Sequence, residues 1–137
     1  MDIQYFVDKP VTAGQFIDLL HRSTLAERRP VADIGCMQGM LDRGDLCITA
    51  WRDEQLVGIA RSVTDFHYCC YLSDLAVDVA WQHQGVGRQL QKLTLDQLES
   101  TCKLILVAAP AADDYYGRFG YERNPRCWIL PNRSAFR

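Results

Sequence analysis

The fold is decided by the stretch Leu75-Ala76-Val77-Asp78-Val79-Ala80-Trp81-Gln82-His83-Gln84-Gly85-Val86-Gly87-Arg88. Its first residues are apolar and typical of a strand end, whereas good helix formers dominate from Gly85 to Ser100. A helix start has up to four backbone N–H groups without internal partners and a partial positive charge, which suits phosphate. Two glycines let an anion approach the backbone closely. The stretch therefore predicts a phosphate-binding turn between a strand and a helix.

Two common nucleotide-binding loops do not fit this turn. A P-loop requires lysine and then Ser or Thr after its last glycine, but Gly87 is followed by Arg88 and Gln89. The dinucleotide fingerprint requires a third small residue where Leu90 stands. The pattern that fits is Q-x-x-G-x-G, from Gln82 to Gly87.

The segments around the turn indicate a mixed sheet. Three extended runs precede it, and their short connections predict antiparallel pairing: Leu46–Trp51, Leu56–Val63 and Tyr68–Val77. The Gly85–Ser100 helix leads to an apolar run, Leu104–Ala108, which predicts a right-handed crossover to a parallel strand.

The two ends of the chain add flanking elements. Thr12 and Gln15 form a capping-box pattern, and Phe16, Leu19 and Leu20 share one face of the helix that follows. The other expected elements are a strand at Ile3–Val7, a helix at Val31–Leu41, a short helix at Asp113–Phe119 and a last strand at Trp128–Leu130. The prediction is a single α/β domain over residues 1–137, with a mixed, partly antiparallel central sheet and flanking helices.

Composition narrows the class of protein. A net charge of −2 over 137 residues argues against a nucleic-acid binder. No apolar run approaches the roughly 18–20 residues that span a bilayer, and the N-terminal residues do not resemble a secretory signal. The six cysteines and three histidines lack metal-site spacing. We expect a cytoplasmic protein without membrane, nucleic-acid or metal partners.

The motifs together resemble the GNAT superfamily of N-acetyltransferases. Gln82–Gly87 matches the family's [RQ]-x-x-G-x-[GA] acetyl-CoA signature, and Asp74–Asp78 is similar to its fourth strand. Leu56–Ala60 is similar to its third strand, and Tyr116–Tyr121 resembles its Y-x-x-x-G-[FY] element. The resemblance covers Leu46 to Tyr121 and implies the GNAT-like acyl-CoA N-acyltransferase fold.

The resemblance also implies how acetyl-CoA binds, as acetyl donor. The family splays its fourth and fifth strands, so that the pantetheine arm pairs with the open strand and the pyrophosphate meets the turn. Arginine is frequent in the family where Gln82 stands, and Arg88 is a candidate to compensate. An asparagine common after the fifth strand is missing from Ala108–Ala112. The implied cofactor-binding residues are Leu75, Ala76, Val77, Gln82, His83, Gln84, Gly85, Val86, Gly87, Arg88 and Tyr116.

The family's chemistry assigns three roles. The N–H of Leu75 stabilises the oxyanion. Tyr116 matches the tyrosine that protonates the departing thiolate, with Tyr115 as the alternative. Asp74 is the first candidate for general base, and the others are Glu27, Asp65 and His67.

The implied function is acetyl transfer from acetyl-CoA to the primary amine of a small-molecule acceptor. In this family the first helices shape the acceptor pocket, which implicates Leu19–Arg29. A small polar amine, an amino acid and an arylalkylamine all fit. The alternative is a non-catalytic acyl-CoA sensor or partner subunit, and a homodimer is common in the family.

Overall fold

The computed structural model describes residues 2–137, and Met1 of the predicted domain lies outside them. The chain divides into two compact units, one that ends at Val107 and a second at Ala108–Arg137. The strands and α-helices belong to the first unit: β1 Gln4–Val7, α1 Ala13–Arg22, α2 Ile34–Arg43, β2 Leu46–Arg52, β3 Gln55–Thr64, β4 Cys69–Val77, α3 Val86–Asp96 and β5 Lys103–Ile105.

The strands form one five-stranded sheet in the order β1-β2-β3-β4-β5. The first three pairs are antiparallel, and β4 pairs with β5 in parallel, which confirms the predicted mixed sheet. The Thr12–Gln15 capping box is present in both directions at 3.0 Å, so α1 begins where the sequence indicates.

Helices cover both faces of the sheet, and each face has its own core. The α1/α2 face carries Phe16, Leu19, Leu20, Met37, Trp51, Leu56, Ile59 and Ala76. The α3 face carries Leu46, Ile48, Ala50, Val57, Ala60, Leu72, Val86 and Leu90. Burial of these apolar faces is the main force that holds the helices against the sheet.

Gly58 brings the start of α3 close to the sheet. A Cβ atom at this position would lie 3.0 Å from Leu90 Cδ1 and 3.2 Å from Val86 Cγ1. Because glycine has no side chain, the first turns of α3 pack directly over β3. The helix start is thereby held against the centre of the sheet.

The second unit corrects two predictions. The predicted helix at Asp113–Phe119 is replaced by two short 3-10 segments, Pro110–Ala112 and Tyr116–Phe119. The predicted strand at Trp128–Leu130 was wrong, because within residues 2–137 no strand follows β5 and Trp128 is 93% exposed. Pro131 limits this apolar run to three residues, too few to form a strand without a partner.

Other element bounds shift only at their ends. Asp33 caps α2 by accepting from the Cys36 N–H at 3.0 Å, so the helix begins at Ile34 rather than Val31. Similarly, α3 ends at Asp96 and not at Ser100. Over the described part of the chain, no helix is both long and apolar enough to cross a membrane.

Candidate active site

A β-bulge in the middle of β4 prepares the candidate site. Ser62 is the partner of Leu72 and Arg61 is the partner of Asp74, so Ser73 is an extra residue on β4. An extra residue reverses the alternation of a strand, both for side chains and for backbone groups. The side chains show the reversal, because Leu72 packs on the α3 face whereas Ala76 packs on the α1/α2 face.

Hydrogen bonds show the same reversal of the backbone. Ahead of the bulge, the Tyr68 carbonyl accepts from the Lys103 N–H on the β5 side, at 3.0 Å. After the bulge, the Asp78 N–H donates to the Val57 carbonyl on the β3 side, at 2.9 Å. Even-numbered residues thus change sides, and the backbone groups of Leu75 and Val77 point towards the edge away from β3.

This edge of β4 is open beyond the bulge. The pairing with β5 covers only Cys69 to Tyr71, and among residues 2–137 no strand continues it along Leu72–Val77. One acceptor on the edge is used locally, since Gln82 Nε2 donates to the Val77 carbonyl at 3.0 Å. The sequence placed Gln82 near phosphate, whereas the structure shows it bonded to the strand end.

The helix start at Gly85 has the geometry of an anion site. Gly85 has φ +84°, and a Cβ atom built on it would meet nothing within 4 Å. The first intrahelical bond is donated by Gln89 to the Gly85 carbonyl at 3.0 Å, so the N–H groups of Val86, Gly87 and Arg88 precede it. His83, with φ +62°, supplies a second left-handed residue in the turn. These N–H groups and the space beside Gly85 fit a phosphate.

Arg22 anchors the loop between β4 and α3. Asp78 caps the short 3-10 turn Val79–Trp81 by accepting from the Ala80 N–H at 2.8 Å. Arg22, in the last turn of α1, donates to the other carboxylate oxygen of Asp78 and to the Leu56 carbonyl, at 2.5 and 2.7 Å. Helix α1 therefore holds the strand end that leads into the turn.

A buried triad of charges surrounds the bulge. Asp74 is fully buried, with Oδ1 2.5 Å from Arg29 Nε and Oδ2 2.6 Å from Arg61 Nε. Both arginines also bind Ser73: Arg29 Nη2 donates to its carbonyl at 2.7 Å and Arg61 Nη2 to its hydroxyl at 3.0 Å. Both oxygens of Asp74 are occupied and shielded from solvent, which argues against the predicted role as general base and indicates a positioning role.

Sequence reasoning missed Arg61 and the pairing of Arg29 with Asp74. A signal was present in the sequence. Arg61 is a charged residue within the apolar run of β3, and Asp74 is a charged residue within the next strand, β4. Charged residues in buried strands are almost always paired. Arg29, in contrast, directly follows the short 3-10 segment Leu25–Arg28, and only the tertiary structure brings it to Asp74 from 45 residues away.

The other candidate bases are exposed, and only Asp65 has a clear local role. Its carboxylate accepts N–H groups from Tyr68, Cys69 and His67 in the turn between β3 and β4, and these bonds lower the pKa of Asp65. Glu27 lies exposed in the 3-10 segment Leu25–Arg28.

Tyr116 belongs to the second unit and begins the 3-10 segment Tyr116–Phe119. Its ring lies 5.0 Å from Tyr115 and 5.4 Å from Tyr121, edge to face. Gly120, with φ +94°, ends the segment, which explains the glycine of the motif. The catalytic role of Tyr116, and the alternative Tyr115, stay predictions.

Comparisons with known proteins agree with this geometry. The family model of the acetyltransferase (GNAT) domain matches residues 25–126 of this chain. A protein of unknown function from meticillin-resistant Staphylococcus aureus shares the fold with TM-score 0.77 and 18% identity, over 94% of this chain and 99% of that chain. AAC(6')-Iy in complex with the bisubstrate analogue CoA-S-monomethyl-acetylneamine has TM-score 0.71 and 14% identity, over 97% and 99%.

A third similar structure is an aminoglycoside acetyltransferase from an uncultured soil metagenomic sample, in complex with sisomicin. Its TM-score is 0.62 at 20% identity, over 95% of this chain and 97% of that chain. At these identities the three structures establish the shared fold.

Proposed function

Because the chain belongs to the GNAT acetyltransferase family, we propose that it transfers an acetyl group from acetyl-CoA to the primary amine of a small-molecule acceptor. One observation carries the proposal: the open edge of β4 beyond Ser73 leads, through the short loop 78–84, to the N–H groups that precede the first intrahelical bond of α3. A donor whose amide-containing arm continues into a diphosphate, as in acetyl-CoA, matches this arrangement.

The donor is held by backbone groups. The diphosphate binds the N–H groups at the start of α3, where the helix dipole and the Arg88 side chain add positive charge. The amide groups of the pantetheine arm pair with the backbone of Leu75 and Val77, as an added strand does. The side chain of Gln82 stiffens the junction by its bond to Val77.

The reaction joins the amine nitrogen to the thioester carbonyl carbon and breaks the bond from that carbon to sulfur. The N–H of Leu75 stabilises the negative charge that develops on the carbonyl oxygen, and the bulge fixes its direction in advance. Tyr116 gives a proton to the departing sulfur, and its tyrosine motif supports this assignment. The amine releases its proton to solvent, because the Asp74 carboxylate is already bonded on both oxygens.

A thiol-release assay with acetyl-CoA and a panel of primary amines tests the function. Turnover on at least one amine is expected, and bound coenzyme A with no turnover on any amine would instead support an acyl-CoA sensor. Calorimetry with coenzyme A measures donor binding separately.

The acid is tested by removing one hydroxyl at a time. Tyr116→Phe is expected to lower turnover by about 10²–10⁴-fold, with little change in coenzyme A affinity. Tyr115→Phe tests the neighbouring register, and Tyr68→Phe, at an exposed ring in the first unit, is the matched control. Normal turnover in both Tyr116→Phe and Tyr115→Phe would reject a tyrosine acid at this motif.

A further inference from the structure

We infer that the acceptor is a small amine that carries a carboxylate next to an apolar group, as apolar amino acids do. The binding surface would be the α1/α2 face of the sheet beside the bulge, formed by the Arg29–Asp74–Arg61 triad and a neighbouring apolar row. This inference rests on the proposed acetyl transfer and names its acceptor class.

The triad leaves one positive charge without a partner. Two guanidinium groups share the single carboxylate of Asp74, and their other bonds in the described structure go to neutral oxygens of Arg28, Ser73 and Met40. An excess positive charge that is largely removed from water favours a bound anion.

Arg29 has the capacity to bind that anion. Its guanidinium carries five N–H donors, and three are used, by Asp74, Arg28 and Ser73. The side chain remains 21% exposed, whereas that of Arg61 is 6% exposed. A planar guanidinium with donors to spare is well suited to a carboxylate.

An apolar row lies next to the triad on the same face. Val63, Tyr71 and Ile105 are successive cross-strand partners on β3, β4 and β5, and they are 48, 40 and 42% exposed. Residues two apart on a strand share a face, so Val63 lies on the side of Arg61, which bonds to the Met40 carbonyl of α2. An apolar side chain of the acceptor would cover this row.

The position of this surface matches the proposed chemistry. The triad binds both the backbone and the hydroxyl of Ser73, two residues from the Leu75 N–H. Positions two apart on a strand are separated by roughly 6.5–7 Å. The amine and carboxylate of an amino acid are close neighbours, so an acceptor held at Arg29 keeps its amine near the open edge. A polycation would instead meet like charge.

Binding measurements test the acceptor class without depending on turnover. Protein saturated with coenzyme A is titrated with L-phenylalanine, L-phenylalaninamide, L-alanine and spermidine. Phenylalanine is expected to bind roughly tenfold or more tightly than its amide, as for a charge-assisted hydrogen bond, and several-fold more tightly than alanine. Equal affinity for phenylalanine and its amide, or a preference for spermidine, would overturn the inference.

Substitutions test which residues produce these ligand preferences. Arg29→Gln is expected to abolish the preference for phenylalanine over its amide. Arg43→Gln, which removes an exposed arginine from the last turn of α2, should keep that preference. Val63→Thr replaces a half-exposed side chain by one of similar shape. It should reduce the preference for phenylalanine over alanine. Retained preferences in both Arg29→Gln and Val63→Thr would refute the surface. If one variant folds poorly, a retained preference in the other would refute it.

Turnover on the same samples separates the two proposals. Specific binding of phenylalanine without acetyl transfer to any amine would support the carboxylate-binding surface and reject the proposed function. Acetylation of spermidine with no response to phenylalanine would support the function and overturn the acceptor surface.

Discussion

The two halves of β4 differ in how many of their edges are paired. Ahead of Ser73, the strand pairs with β3 on one edge and with β5 on the other, as an interior strand of a stable sheet does. Beyond Ser73, β3 still pairs with it, but no strand of residues 2–137 pairs with the other edge, towards which the backbone groups of Leu75 and Val77 point. One inserted residue thus separates a half with both edges paired from a half with one open edge, where we propose that the donor binds.

The largest expected effect comes from the charges at the bulge between the two halves. Asp74→Ala leaves two arginines without their carboxylate, and removal of one partner of a buried ion pair costs about 3–5 kcal/mol. Urea unfolding should show this loss. Asp18→Ala is the matched control, because its exposed ion pair with Arg22 contributes only about 0.3–0.5 kcal/mol. A similarly small loss of unfolding free energy in both variants would contradict a stabilising role for the triad.

Proline substitutions compare the halves directly. Leu75→Pro removes an N–H from the open edge, where proline is tolerated, so the protein should fold but lose acetyl transfer by about 10²–10³-fold. Cys70→Pro places proline where both edges are paired, and it should abolish the cooperative unfolding transition. Circular dichroism and the thiol-release assay measure both. Normal turnover in Leu75→Pro would remove the Leu75 N–H from the mechanism.

The glycine that starts α3 is expected to have a moderate effect. Gly85→Ala forces a side chain into a left-handed conformation, at a cost of roughly 1–2 kcal/mol, which should weaken coenzyme A binding up to about tenfold. Gly39→Ala, inside α2 with nothing near its Cβ position, should stabilise the protein by about 0.5–1 kcal/mol. Calorimetry measures the coenzyme A affinity of both variants, and thermal melts measure their stability. Unchanged coenzyme A affinity in Gly85→Ala would argue against binding at this turn.

The smallest effect is expected at the turn that enters β4. Hydrogen bonds from Tyr68, Cys69 and His67 depress the pKa of Asp65 in the folded protein, so its carboxylate stabilises the fold above the unfolded pKa. Asp65→Asn should lower the melting temperature slightly at pH 7. The difference should shrink as the pH falls below about 4. A difference for Asp65→Asn that stays constant over this pH range would contradict the linkage.

Local sequence signals were sufficient for much of the fold. Extended, largely apolar runs predicted β2, β3 and β4, and the capping box placed the start of α1, because these signals act over a few residues. The Q-x-x-G-x-G turn was also readable, since the left-handed φ at Gly85 is a local requirement. The apolar run Trp128–Leu130 misled the same reasoning, because a strand needs a partner that three residues do not specify.

By itself, the sequence determined the order of the strands and α-helices up to β5, the glycine turn that opens α3 and the family of the protein. The tertiary structure decided where the bulge falls, which edge of β4 is open and that Asp74 is held by Arg29 and Arg61. The physical reason is the distance along the sequence over which each kind of interaction acts. Helix caps and turns depend on neighbours within a few residues, whereas strand register and buried ion pairs depend on groups that only folding brings together.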